Sequence, residues 1–199
     1  MNCDRLNAFS DGVIAILITI MVLELKIPQG TDLEALRGLV PIFLTYVLSF
    51  VFLAIYWNNH HHMLQLTDGV TGGILWANTH LLFWLSLIPF VTGWMGENHF
   101  APLPTALYGF VLMFAGVAYY VLEQTIIRAQ GANSKLRAAV GSDSKGKLSV
   151  VLYLSAIPLA FVHQLLADAI YVAVALVWLV PDRRIEEHIR RGSPGSHHD

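Results

Sequence analysis

A lone cysteine, Cys3, stands among 199 residues, so the chain can form no intrachain disulfide and no cysteine-built metal cluster. Charge is scarce as well. Only 13% of residues are Asp, Glu, Lys or Arg, against about 25% in soluble domains. The sequence contains no P-loop, no G-x-S-x-G, no paired carboxylates, no H-E-x-x-H or H-x-x-x-H, no T-V-G-Y-G filter and no arginine ladder. Most enzyme classes therefore lack their parts, and the chain reads as a non-enzyme.

What remains is apolar: 55% of the residues are hydrophobic. A soluble fold of this length leaves too much surface exposed to hide them. A bilayer removes that difficulty. A spanning helix needs roughly 20 mostly apolar residues, and the sequence offers stretches at about Arg5–Leu25, Leu39–Trp57, Ile74–Trp94 and Leu103–Leu122. A fifth run, Leu148–Val180, is too long for one crossing. Pro158 lies inside it, and His163, Gln164 and Asp168 interrupt it, so it divides near His163 into two short helices. The expected fold is an all-α membrane protein of six transmembrane helices, over residues 1–182, followed by a polar cytoplasmic tail, 183–199. Arg5 is the only early basic residue, and no small-x-small site follows the first apolar run, so that run is expected to be a retained helix and not a cleaved leader. Pro28–Arg37 reads as a turn leading into a short helix. Arg128–Lys147 is the longest polar connection.

Six crossings put Arg5, Arg128, Lys135, Arg137, Lys145, Lys147, Arg183, Arg184, Arg190 and Arg191 on one side, and only Lys26 and Arg37 on the other. The positive-inside rule then makes both termini cytoplasmic. Trp57, Trp76, Trp94 and Trp178 fall near the expected helix ends, where indoles favour the interface.

The first span opens Arg5-Leu6-Asn7-Ala8-Phe9-Ser10-Asp11-Gly12. Ionisable groups at the membrane end of a helix need partners or a function. At roughly 100° per residue, Phe9, Gly12, Ile16, Ile20 and Leu23 form one stripe with Thr19 on its flank, and Asp11 points about 140° away from Ile16. Asp11 is either a proton or cation site or a helix-end anchor bonded to a neighbouring helix, and the anchor is preferred. An apolar stripe alone is ordinarily packing or lipid contact, and a threonine such as Thr19 ordinarily bonds back to its own helix. Asn78 and His80, one turn inside the third span, also need partners. Ser10 and Asp11 lie at the same side and are natural ones. His60, His61 and His62 follow one another in what reads as a short polar loop. Successive side chains diverge by about 100°, so a polar helix end is preferred over a metal site. Asp168 reads as a cap or turn residue.

At Arg5-x-x-x-Phe9-Ser10-Asp11-Gly12 the sequence resembles the bacterial branch of the transmembrane protein 175 family of potassium-permeable channels. The resemblance continues through Ile14–Pro28, Tyr56–Met63, Trp76–His80 and Trp178–Glu186. It implies a homotetramer of six-helix subunits in the cell membrane of a bacterium, with the first helices lining the pore and no separate pore loop. By position it would make Ile16 the cytoplasm-proximal constriction, Ile20 and Leu23 further apolar layers, and Thr19 the hydroxyl linked to potassium preference. Arg5, Phe9, Ser10, Asp11, Trp76, Asn78 and His80 would hold the pore helix. Animal members carry two such units per chain; this chain has one. The implied partners are the bilayer, three further copies of the chain, and potassium or other monovalent cations, with no nucleic acid and no cofactor. Two rivals stay open: a proton-coupled secondary transporter using Asp11 and His80, and a membrane subunit binding metal at His60–His62.

Overall fold

The computed structural model describes residues 2–131, 134–140 and 144–179. All regular structure among them is helical: α1 (Cys3–Leu23), α2 (Leu33–Arg37), α3 (Val40–Gln65), α4 (Gly72–Ser86), α5 (Ile88–Glu97), α6 (Pro102–Gln130), α7 (Lys135–Val140), α8 (Ser144–Leu159) and α9 (Gln164–Leu179). The tail expected at 183–199 lies outside the described residues, as do the arginines at 183, 184, 190 and 191.

Among the described residues, four stretches are long and apolar enough to cross a membrane: Cys3–Leu23, Val40–Gln65, Gly72–Glu97 and Pro102–Gln130. At 1.5 Å per residue, the 21 residues of α1 span about 31 Å, close to the hydrocarbon thickness of a bilayer. The third stretch is not one unbroken helix. Pro89 near the start of α5 lacks an N–H, and Leu87 N turns to Trp84 O at 3.2 Å, so α4 hands over to α5 at Leu87. The last apolar run breaks at residues 160–163, where Phe161 N bonds Pro158 O and Val162 N bonds Leu159 O in tightened turns. The two helices so divided, α8 and α9, have 16 residues each.

Two helices outrun the sequence expectation. The second span continues eight residues beyond Trp57, so His60–His62 sit in the last turns of α3 and not in a loop. Three of the polar residues there find partners compatible with a helix: Asn59 donates to Ile55 O at 2.8 Å, His60 meets Asn78, and His61 lies between Asn7 and Gln65. Trp57 consequently lies well inside α3. The fourth span runs on to Gln130, which donates to Leu66 O at 2.7 Å, and ends at Gly131 with φ 71°, a left-handed conformation that glycine adopts without steric cost. Asp32 caps α2 by accepting from Ala35 N at 2.9 Å. Asp168 is not a cap. It lies one turn inside α9, its Oδ1 buried with no hydrogen-bond partner.

Glycines set the closest approaches. A Cβ at Gly96 would meet Thr45 Oγ1 at 2.5 Å and Ile42 Cα at 2.8 Å, so α5 presses directly on the start of α3. A Cβ at Gly109 would overlap the Tyr171 hydroxyl, which donates to Thr105 O at 3.1 Å and joins α9 to α6. Between α3, α5 and α6 a buried hydroxyl cluster replaces a purely apolar seam. Thr92 Oγ1 lies 2.6 Å from Ser49 Oγ, which lies 2.9 Å from the Tyr108 hydroxyl. Such bonds hold helices together where apolar contact with lipid and with protein is equally favourable.

Candidate functional site

Helix α1 has two unlike faces. Leu6, Ser10, Ile14, Leu17 and Met21 are buried against the rest of the chain. The opposite face carries Phe9, Gly12, Ile16, Thr19, Ile20 and Leu23, all exposed in the single chain; Ile16 is 58% and Leu23 79% accessible, where Ile14 is 0%. The apolar stripe anticipated from the helical angle is thus the uncovered face. Nothing lies within 4 Å of the place a Cβ would take at Gly12. Thr19 donates to Ile16 O at 2.9 Å, which spends its proton on its own helix and leaves the oxygen lone pairs open to an acceptor role.

The buried face is fastened by polar groups near its N-terminal end. Ser10, wholly buried, donates to Leu6 O at 2.9 Å and accepts from Asn78 Nδ2 of α4 at 3.0 Å. Asn78 Oδ1, an acceptor only, lies 2.7 Å from His60 Nε2 of α3, so that ring nitrogen carries the hydrogen. His60 Nδ1 is buried without a partner. One chain of hydrogen bonds therefore runs α1–α4–α3. A second clasp lies beside it: Trp57 Nε1 donates to Asp11 Oδ1 at 2.9 Å. A third uses His61, between Asn7 (3.2 Å from its Nδ1) and Gln65 (2.9 Å from its Nε2).

Of the residues singled out in the sequence, the structure brings Ser10 and Asn78 together. Asp11 meets Trp57, a partner sequence reasoning missed. His80 is exposed and accepts from Trp84 Nε1 at 3.0 Å, so Asp11 and His80 share no hydrogen bond. Arg5, Phe9 and Trp76 point outward in the single chain. His60, His61 and His62 diverge, and no group of three or more His, Cys, Asp or Glu suited to a metal occurs among the described residues. His60 was the overlooked member of the clasp. Its spacing of three from Trp57 places both on the α3 face turned to α1 and α4, a signal present in the sequence.

The family described as endosomal/lysosomal potassium channel TMEM175 matches residues 5–89, the stretch that holds α1 and its clasp. The chain is 50% identical over 190 residues to a potassium channel of Chryseobacterium sp. (strain P1-3), covering 96% of this chain and 99% of that one. It is 36% identical over 99 residues to a potassium channel of Chamaesiphon minutus (strain ATCC 27169 / PCC 6605), 47% of this chain and 49% of the relative. The crystal structure of a lysosomal potassium-selective channel TMEM175 homolog from Chamaesiphon minutus superposes with a TM-score of 0.79 at 25% identity, over 90% of this chain and 97% of that one. With half its residues identical along nearly the full length of both chains, this protein belongs to the TMEM175 family.

Proposed function

We propose that this chain is one subunit of a homotetrameric, potassium-permeable cation channel in a bacterial cell membrane, crossing it six times with both termini cytoplasmic. The observation that carries the proposal is the division of α1 into a clasped face and an uncovered apolar one. A helix bonded this firmly on one side is held at a fixed angle, and its free side is available to equivalent helices around a common axis. The names of the relatives supply the permeant ion.

In this reading Ile16 forms the narrow point, with Ile20 and Leu23 as further layers. Rings of isoleucine exclude water from a constriction, and a slight rotation or widening of α1 lets water and cations return. Potassium sheds its water at lower cost than sodium, so an apolar neck next to the Thr19 oxygens favours it. The selectivity is modest, because no cage of backbone carbonyls replaces the hydration shell. Ser10, Asp11 and Asn78 hold the pore helix within the subunit, and Arg5, Phe9, Trp76 and His80, exposed in the single chain, hold it between subunits. No chemical step and no cofactor is needed.

A bi-ionic recording from purified protein in a planar bilayer tests the proposal. A channel gives a current that follows the driving force and reverses at a potential set by its potassium-to-sodium permeability ratio. A saturating flux coupled to protons would replace it with a carrier.

A further inference from the structure

A cleft of about 490 Å³ opens between α3, α6 and α8, a size typical of sites for extended small ligands. Protein interiors are close-packed, so an open cleft of this volume between helices offers room for an occupant.

Its lining changes character along its length. On α3 it passes from Phe52 toward Asn59; on α8, which runs the other way, from Tyr153 toward Lys147. Phe52 and Tyr153 meet at the deep end, ring centroids 6.5 Å apart. At the other end lie Asn59, Ser149 and the exposed Lys147, with the Trp178 indole bonded to Ser149 Oγ at 2.8 Å. Indoles prefer the boundary between hydrocarbon and headgroups. One end is therefore apolar and aromatic, and the other is polar and basic. The matching molecule is an amphiphile with an anionic head.

We infer that the cleft between α3, α6 and α8 is a binding site for an anionic phospholipid, one acyl chain lying toward Phe52 and Tyr153 and the phosphate beside Lys147. The site lies apart from the outward face of α1, and its occupancy is measurable without any current. The small residue Gly116 makes room for the chain. A Cβ there would meet only the Tyr56 hydroxyl, at 3.8 Å, so a larger side chain at 116 projects into the cleft without displacing backbone.

The test uses the purified full chain, delipidated and titrated with phosphatidylglycerol or phosphatidylcholine, read by thermal unfolding and by native mass spectrometry of retained lipid. Phosphatidylglycerol is expected to raise the melting temperature and to be retained preferentially. Lys147→Gln is expected to abolish the preference for the anionic lipid, and Gly116→Leu to raise the phosphatidylglycerol concentration for half the shift by about tenfold. Retention of both lipids equally by the parent protein would overturn the anionic assignment. An unchanged titration in Gly116→Leu would overturn the cleft as the site. Should Gly116→Leu not fold, Val117→Phe on the same wall carries the same prediction and the same contradiction.

Discussion

Asn78 Nδ2 donates to Ser10 Oγ at 3.0 Å across the α1–α4 contact, with both residues buried. The bond has no water to fall back on, since a lost partner at this depth leaves an amide donor unsatisfied. It fixes both the depth and the rotation of α1. Rotation matters because the helix has one clasped face and one uncovered face, and turning it by two residues, about 200°, would exchange them.

Ser10→Ala removes the acceptor and strands the Asn78 amide. The expected cost is about 1–3 kcal/mol of stability, seen as a lower melting temperature of the purified protein. Thr79→Ala, which deletes an exposed hydroxyl bonded only to its own helix, is the control and is expected to change little. Equal behaviour of the two variants would remove the Ser10–Asn78 bond from the account.

Gly109→Ala places a methyl group on the Tyr171 hydroxyl, where α6 and α9 touch. Overpacking of this kind costs about 1–3 kcal/mol. Gly116→Ala, on the same helix, would make only an ordinary van der Waals contact with the Tyr56 hydroxyl at 3.8 Å and is expected to be neutral or slightly stabilising, because alanine is the better helix former. Thermal unfolding of the pair checks the prediction. Equal stability would mean that α6 and α9 are farther apart than the structure places them.

Trp57→Phe and Asp11→Ala each break the Trp57–Asp11 bond. Both are expected to lower the fraction of assembled oligomer in size-exclusion chromatography while leaving the potassium-to-sodium permeability ratio of the remaining channels unchanged. Intact assembly with an altered ratio would make Asp11 an ion site instead of an anchor.

Much of this arrangement is legible in the sequence, for physical reasons that differ by element. The α1 span shows plainly, because 21 residues with few charges have no other stable home, and its two faces follow from the 3.6-residue repeat. The break before Gln164 shows because Pro158 and three polar residues interrupt one apolar run. The extension of α3 does not show. Asn58 to His62 read as a polar loop, yet Asn59, His60 and His61 find partners on the same helix, α4 and α1, and tertiary contacts carry the helix through them. The handover at Leu87 is hidden too, since a Pro89 at a helix start and a Pro89 inside a kinked helix look the same in one dimension. Within the site, periodicity says which side of α1 a residue faces, so Ser10 is directed inward. It does not say which neighbouring helix stands opposite, and for that reason Trp57 as the partner of Asp11 and His60 as the partner of Asn78 emerge only from the packing.

Gly12 separates a lipid-facing α1 from an axis-facing one. Within the chain a Cβ at this position meets nothing within 4 Å, so Gly12→Leu is expected to leave the subunit intact and to improve helix propensity by about 1 kcal/mol. If equivalent α1 helices gather around an axis, the added bulk is expected to prevent assembly or close the path, read by cross-linking and by flux into liposomes. Normal assembly and flux would place this face against acyl chains.

The most direct measurement is the current through Ile16→Asn in a planar bilayer, compared with the parent protein under the same potassium gradient. A polar side chain at the narrow point is expected to wet it, raising the conductance several-fold while the reversal potential moves toward zero as potassium loses its advantage over sodium. An assembled Ile16→Asn channel with parent-like conductance and reversal potential would contradict the claim that the uncovered face of α1 lines the ion path.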